Sequence, residues 1–398
     1  MKPGERYVTG RIHAVAKLRQ RDRQAPQGER GEPLYSLLNQ VRTCGATKRR
    51  DRIYALYNFL PKEIQDATND KSYNEHTVEA LFTKVAEADF LRRSDLPLLS
   101  AAGVSQQVLE LPSWVPDWTF AAKHHTLTLL DQDCWDQGRG VMFQASGPGS
   151  MSAPWLSDFG KTLHGQVRRL GIITKVAQPF EFPLPGTNKS DSQDDRWRIL
   201  NRLMAQRQSQ IKSCISFARE QQPYATGPDI VGACQRVLTA GMKPAGGGDT
   251  LGLLVPASDA EIAADFEALN NIFEQMHSME RYTPQRGPQG TLYSIQDACK
   301  ARVFFVMQRN QSLEVECEEQ GTRYMGLAPE MAKDGDLICV VLGCSVPFLF
   351  RPIGQDAAAG QQTTEPRFQL IGECYAYGFM QGEVMTMSDV ETQELAIT

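Results

Sequence analysis

The stretch Leu111-Pro-Ser-Trp-Val-Pro-Asp-Trp118 constrains this chain more than any other. Pro112 and Pro116 lock φ and push the residue before each toward extended backbone, so the segment is a stiff, kinked strand or loop and not a helix. Trp114 and Trp118 carry large apolar area, and each indole N–H seeks an acceptor. Asp117 stands between them, where its carboxylate can accept backbone or indole N–H bonds. The pattern predicts a buried seam between two layers, tied by one acid.

A chain of 398 residues is long enough for two or three packed units. Its net charge of −5 argues against general electrostatic binding to nucleic acid or to an anionic membrane. No apolar run reaches bilayer length, and the first residues, Met1-Lys-Pro-Gly-Glu-Arg, lack a signal core. The expected location is the cytoplasm. Cys44, Cys134, Cys214, Cys234, Cys299, Cys317, Cys339, Cys344 and Cys374 are odd in number and form no CxxC pair. Spacing therefore speaks against a disulfide scaffold and a zinc ribbon, and buried free thiols are expected.

Residues 1–33 are rich in Arg, Gln, Gly and Pro and read as a flexible arm. Residues 34–300 form a helix-rich body around the Trp-bearing seam. Helical patterns run over Leu34–Leu60, Thr77–Arg93, Trp197–Glu220, Asp229–Thr239 and Ala257–Met279. In the first of these, Asp51 can cap or pair with an arginine at the head of a second helix. Ser258 and Glu261 have capping-box spacing. Val141–Ala145 reads as a strand, and Thr162–Val176 as a hairpin packed on the seam. Residues 301–390 form an antiparallel β unit, with short apolar strands such as Arg302–Met307 and Leu337–Leu342 and turns at Gly335 and Gly343. The fold class is α+β: helical N-terminal and middle segments packed on a central strand group and a C-terminal small antiparallel β-barrel or meander.

No GxSxG elbow, HExxH, kinase signature or Rossmann fingerprint occurs, so no cofactor and no metal are expected. His124 and His125 are adjacent and would face opposite sides of a strand, which denies them a shared site. His277 reads as a helix-end or core histidine. The candidate pocket is Trp114 and Trp118 with Arg351, Glu373, Tyr375, Tyr377 and Glu383. Aromatic walls with one guanidinium and one or two carboxylates suit a small apolar ligand with a polar handle, and the same groups also suit packing of barrel on helices.

The seam resembles the "LPSWVPDW" signature of fungal heterokaryon-incompatibility (HET) domain proteins. Ala46-Thr-Lys-Arg-Arg-Asp-Arg-Ile-Tyr-Ala-Leu56 is similar to their "ATDPRDKVYALLGL" segment. Gly326-Leu-Ala-Pro329, Gly335-Asp336, Pro347–Arg351 and Ile371–Gly378 resemble their closing β-rich segment. The resemblance assigns Arg50, Asp51, Pro112, Pro116, Asp117, Gly326, Pro329, Gly335, Asp336 and Gly372 to the family-like structural motif. The family's opening "YxALSYxWG"-type segment and TIR-like α/β portion are not found, which implies a truncated member covering the C-terminal portion.

Two functions follow from these readings. The resemblance implies a fungal protein acting through protein partners in non-self recognition or cell death. The alternative is a cofactor-free enzyme of fungal secondary metabolism, catalysing a pericyclic-type cyclisation or an isomerisation in the aromatic pocket. Whether the chain is catalytic stays open at this level. Expected partners are proteins or a small apolar molecule, with no nucleic acid and no membrane.

Overall fold

The computed structural model describes residues 34–41, 46–69, 77–93, 95–119, 127, 143–182, 192–225, 229–244, 254–276, 288–309, 323–353 and 366–398. The arm, His124, His125, His277, Cys44, Cys134 and Cys317 lie outside them. The helices are α1 (Leu34–Val41), α2 (Asp51–Tyr54), α3 (Lys62–Thr68), α4 (Val78–Arg92), α5 (Gln193–Glu220), α6 (Ile230–Leu238), α7 (Asp259–Met276) and α8 (Pro288–Cys299). The strands are β1 (Trp155–Ser157), β2 (Thr162–Val176), β3 (Met242–Pro244), β4 (Leu254–Pro256), β5 (Arg302–Gln308), β6 (Arg323–Pro329), β7 (Leu337–Val341), β8 (Pro347–Ile353), β9 (Arg367–Glu373), β10 (Tyr375–Ala376) and β11 (Thr392–Ile397).

Capping chemistry sets several helix starts. The hydroxyl of Thr77 accepts from the Ala80 amide, and Ser192 does the same for Asp195. The carboxylate of Asp229 accepts from Gly232. Ser258 and Glu261 form a reciprocal capping box: the Ser258 amide donates to Glu261, and the Glu261 amide to Ser258 Oγ. Asp51 is not a cap. Arg50 holds the N-cap position with helical backbone angles, and Asp51 is the first helical residue, where its charge complements the helix dipole.

Period-2 alternation sorts the C-terminal strands onto two cores. Phe304 and Val306 of β5, Cys339 and Val341 of β7, and Phe348 and Phe350 of β8 join a large core shared with the helices. Their neighbours Val303, Phe305, Ile338, Val340 and Leu349 face a smaller second core that holds Phe379 and Val384. Both faces are buried, which is why these strands are apolar throughout.

The sheet curls into a ring-like arrangement that is not a closed barrel. Strand β2 pairs with β11 through residues 163–168, with β7 through 167–172 and with β5 through 172–176. The pairings β7–β8, β8–β9 and β9–β11 return the path to β2, while β5, β6 and β10 extend from it. All ladders are antiparallel except β9–β11, which is parallel.

Two strand expectations are corrected. Thr162–Val176 is one continuous strand and not a hairpin. It carries no turn chemistry, and register shifts at Arg169/Gly171 and Ile173/Lys175 let it bend from one set of partners to the next. Of the expected strand Val141–Ala145, residues 141 and 142 lie outside the described residues, and Phe143–Ala145 is not a strand: the amides of Gln144 and Ala145 donate to the loop carbonyls of Met380 and Ser345. Helix α8 and strand β11 are additions to the sequence reading.

Gly326 sits where β6 meets β10 and Phe305. A Cβ there would lie 2.0 Å from the Tyr375 carbonyl oxygen and 2.5 Å from the Phe305 ring. Gly326→Ala is therefore expected to lower stability by about 1–3 kcal/mol, measured as a shifted urea midpoint with an unchanged slope.

Candidate functional site

The seam is buried as a unit from Ser113 to Trp118. Trp114 packs edge-on against Phe90, at 5.7 Å between ring centroids, and Trp118 against Phe82 at 5.0 Å. Both phenylalanines lie on the buried face of α4. The Trp114 indole donates to the carbonyl of Lys161 at 3.1 Å, which ties the seam to the start of β2. Ser113 Oγ donates to the Thr398 carbonyl and accepts from the Leu370 amide at 2.8 Å. One hydroxyl thus joins the seam to β9 and to the residue after β11.

Asp117 ties the turn. Its carboxylate accepts from the amides of Val108 (2.8 Å), Leu109 (2.9 Å) and Thr119 (2.8 Å). Burial pushes its pKa up, but bonds from Thr119, Leu109 and Val108 outweigh that, and the carboxyl titrates below its ordinary value. The Gln107 side chain donates to the carbonyls of Pro112 and Val115, both at 2.9 Å.

The candidate pocket residues fall into separate polar nodes. Glu373 is fully buried beside Arg302, at 3.0 Å, and accepts from the Leu127 amide at 2.5 Å. Arg302 also donates to the Ala298 carbonyl at the end of α8. Burial raises the Glu373 pKa, and the Arg302 charge, the Leu127 amide and the Ser100 hydroxyl pull against it. Arg351 belongs elsewhere. It binds Asp336 with two bonds of 2.8 Å and the Met331 carbonyl at 2.9 Å, while the Lys333 amide donates to Asp336. This clasp fixes the Gly335–Asp336 turn, whose backbone bonds Ile173 of β2 in both directions.

Tyr375 forms a third node. It is buried, packs edge-on against Phe143 and has its hydroxyl in the neighbourhood of Arg236, which is held by Asp259 at 2.5 Å. Burial pushes its hydroxyl pKa well up. Tyr377 is half-buried, and its amide donates to Met325. Glu383 is half-buried at a 3₁₀ turn and accepts from the Gln381 amide. An open cleft lies along α5, lined by Gln208, Lys212, Ser216, Phe217 and Glu220, and takes none of the candidate residues.

Arg302, partner of Glu373, was missed by the sequence reading. Its signal was a cation opening an otherwise apolar strand. The described cysteines are buried and free, and desolvation pushes the thiols of Cys214, Cys234 and Cys339 to about 12, so none is a ready nucleophile at neutral pH. Among the described residues no cluster of three or more His, Cys, Asp or Glu could hold a metal ion. No described helix is long and apolar enough to cross a membrane.

These features define an α+β chain whose helices are clamped to a ring-like sheet by a tryptophan seam. Residues 263–394 match the family model of the Het-6 beta-barrel domain, and the chain resembles the C-terminal portion of HET-domain proteins. No curated protein and no solved structure matches the chain.

Two variants test this site. A lowered Asp117 pKa means its contribution is full above the ordinary carboxylate range and is lost as pH falls through the folded value. The stability gap between the native chain and Asp117→Asn should therefore shrink below about pH 4, read from urea melts across pH. Glu373→Gln leaves a buried guanidinium without its counter-charge and should cost about 3–5 kcal/mol, part of which Arg302→Met in the same chain restores.

Proposed function

We propose that this chain is a heterokaryon-incompatibility-related fungal protein that acts through protein partners, in the cytoplasm, in non-self recognition or programmed cell death. The observation that carries this reading is the match of residues 263–394 to the Het-6 beta-barrel domain. The packing of the seam supports it. Cyclisation of an apolar substrate needs a ligand-sized space beside Trp114 or Trp118. Among the described residues both indoles are covered by Phe90 and Phe82, and Arg351 and Glu373 are each occupied by a partner on different sides of the sheet.

Deletion of the gene decides between the two functions. The expected result is an altered outcome in hyphal-fusion pairings with no loss of a cyclised or isomerised metabolite. Normal fusion together with loss of a metabolite would overturn the partner reading in favour of the cyclase or isomerase.

A further inference from the structure

At one edge of the sheet, β1, β2 and β11 bring four side chains onto a single face. Trp155 is the register partner of His164, and Ala396 is the partner of His164 on the other side. Ser157 and Glu394 lie two residues along their strands from those partners, so each sits diagonal to His164 on the same face. Ser157 Oγ is 2.7 Å from His164 Nε2, and His164 Nδ1 is 3.2 Å from Glu394 Oε1. The Trp155 ring lies flat on the imidazole, 3.6 Å between centroids and 9° between planes. Its Nε1–H donates to Glu394 Oε2 at 3.0 Å, so the carboxylate is held at both oxygens.

The hydrogen bonds fix the tautomer. A carboxylate only accepts, so the imidazole presents Nδ1–H to Glu394. In the neutral ring Nε2 then carries the lone pair, and Ser157 O–H donates to it. A serine hydroxyl facing an imidazole lone pair, with a carboxylate behind the ring, is the arrangement that activates serine as a nucleophile. The imidazole is buried, whereas Ser157 is half-buried and reachable.

The turn that follows Ser157 adds a second observation. Asp158, Phe159 and Gly160 all have positive φ, at 54°, 57° and 80°, and two of the three are not glycine. Asp158 is pinned there by Thr162 Oγ1 at 3.0 Å and Arg367 at 2.8 Å. The result is a Phe159 side chain held wholly in solvent beside Ser157, with half-exposed Trp155 on the same strand as the serine. Strained backbone and displayed aromatics next to a polarised serine mark a place where a ligand is met.

We propose that Ser157, His164 and Glu394 form a hydrolytic triad that cleaves small carboxylic esters with apolar acyl groups. Ser157 Oγ bonds to the ester carbonyl carbon as its proton passes to His164 Nε2, and Glu394 stabilises the imidazolium. The carbon–oxygen bond to the alcohol breaks, and the alcohol leaves with the proton from Nε2. His164 next takes a proton from water, whose oxygen attacks the acyl carbon. The acid departs and Ser157 regains its hydroxyl proton.

The test treats the purified full chain with a fluorophosphonate probe and, separately, with 4-nitrophenyl butyrate. The expected result is a probe adduct on the peptide carrying Ser157, lost in Ser157→Ala, together with ester turnover that follows the same pattern. Glu394→Gln, at an exposed position, should keep the native urea midpoint and slow labelling by about 100-fold or more, and His164→Gln should slow it at least as much. Absence of an adduct on Ser157 in the native chain overturns the proposal. So does labelling that proceeds at the native rate in both Glu394→Gln and His164→Gln.

Discussion

Ser113 makes the joint on which the rest of the architecture depends. Its hydroxyl is bonded to the last residue, Thr398, and to Leu370 in β9, and its amide also donates to Thr398. Its carbonyl accepts from Gly103, whose own Cβ position is filled by the Ile371 carbonyl at 2.5 Å. Seam, the backbone at Gly103 and sheet therefore approach to contact. Trp114 can then be fully buried, because its indole N–H is answered by the Lys161 carbonyl. The joint links residues that are 285 apart in the chain, so it forms only when the helical front and the sheet are both in place.

Much of this was legible before any coordinates. Proline spacing gave a stiff seam because proline restricts backbone whatever the surroundings, and Asp117 is where a tie was expected. Helices α4 to α7 were readable because each pairs an apolar face with a capping residue. The misreadings share a cause. Strand β2 runs unbroken for fifteen residues, and sequence carries no mark for a strand that changes partners midway. Pairing partners are long-range facts, whereas alternation is local. Helix α8 opens with Pro288 at its first position, a usable signal, but Gly290 and the short apolar set Leu292, Ile295 and Ala298 weaken the periodicity.

The candidate pocket joins residues that the fold holds at separate places. Arg351 and Glu373 lie on adjacent strands, yet the register places Glu373 opposite Phe348 and Arg351 opposite Gln369. With one bulge between, one side chain enters the large core and the other leaves toward the Asp336 turn. Each then recruits its own counter-charge, Arg302 or Asp336. A buried ion pair of this kind is better understood as fixing which strands meet than as a source of net stability, since desolvation offsets much of the attraction. Here each pair joins elements that hydrophobic contact alone would leave free to slide: α8 and β5 to β9 in one case, β7 to β8 in the other.

The same register logic separates groups that hold the fold from groups that can meet solvent. Glu373, Tyr375 and the described cysteines are buried, and desolvation disfavours their charged forms, so no proton passes from them to a substrate without opening the core. Ser157, His164 and Glu394 use identical strand geometry at the edge of the sheet. There the imidazole is covered by one tryptophan, while the serine and the carboxylate reach the surface. Neither motif spacing nor composition announces that group, because its members come from three strands, β1, β2 and β11. It exists only once β11 has returned to lie beside β2, so the pairing that brings the ring round also assembles the polar face.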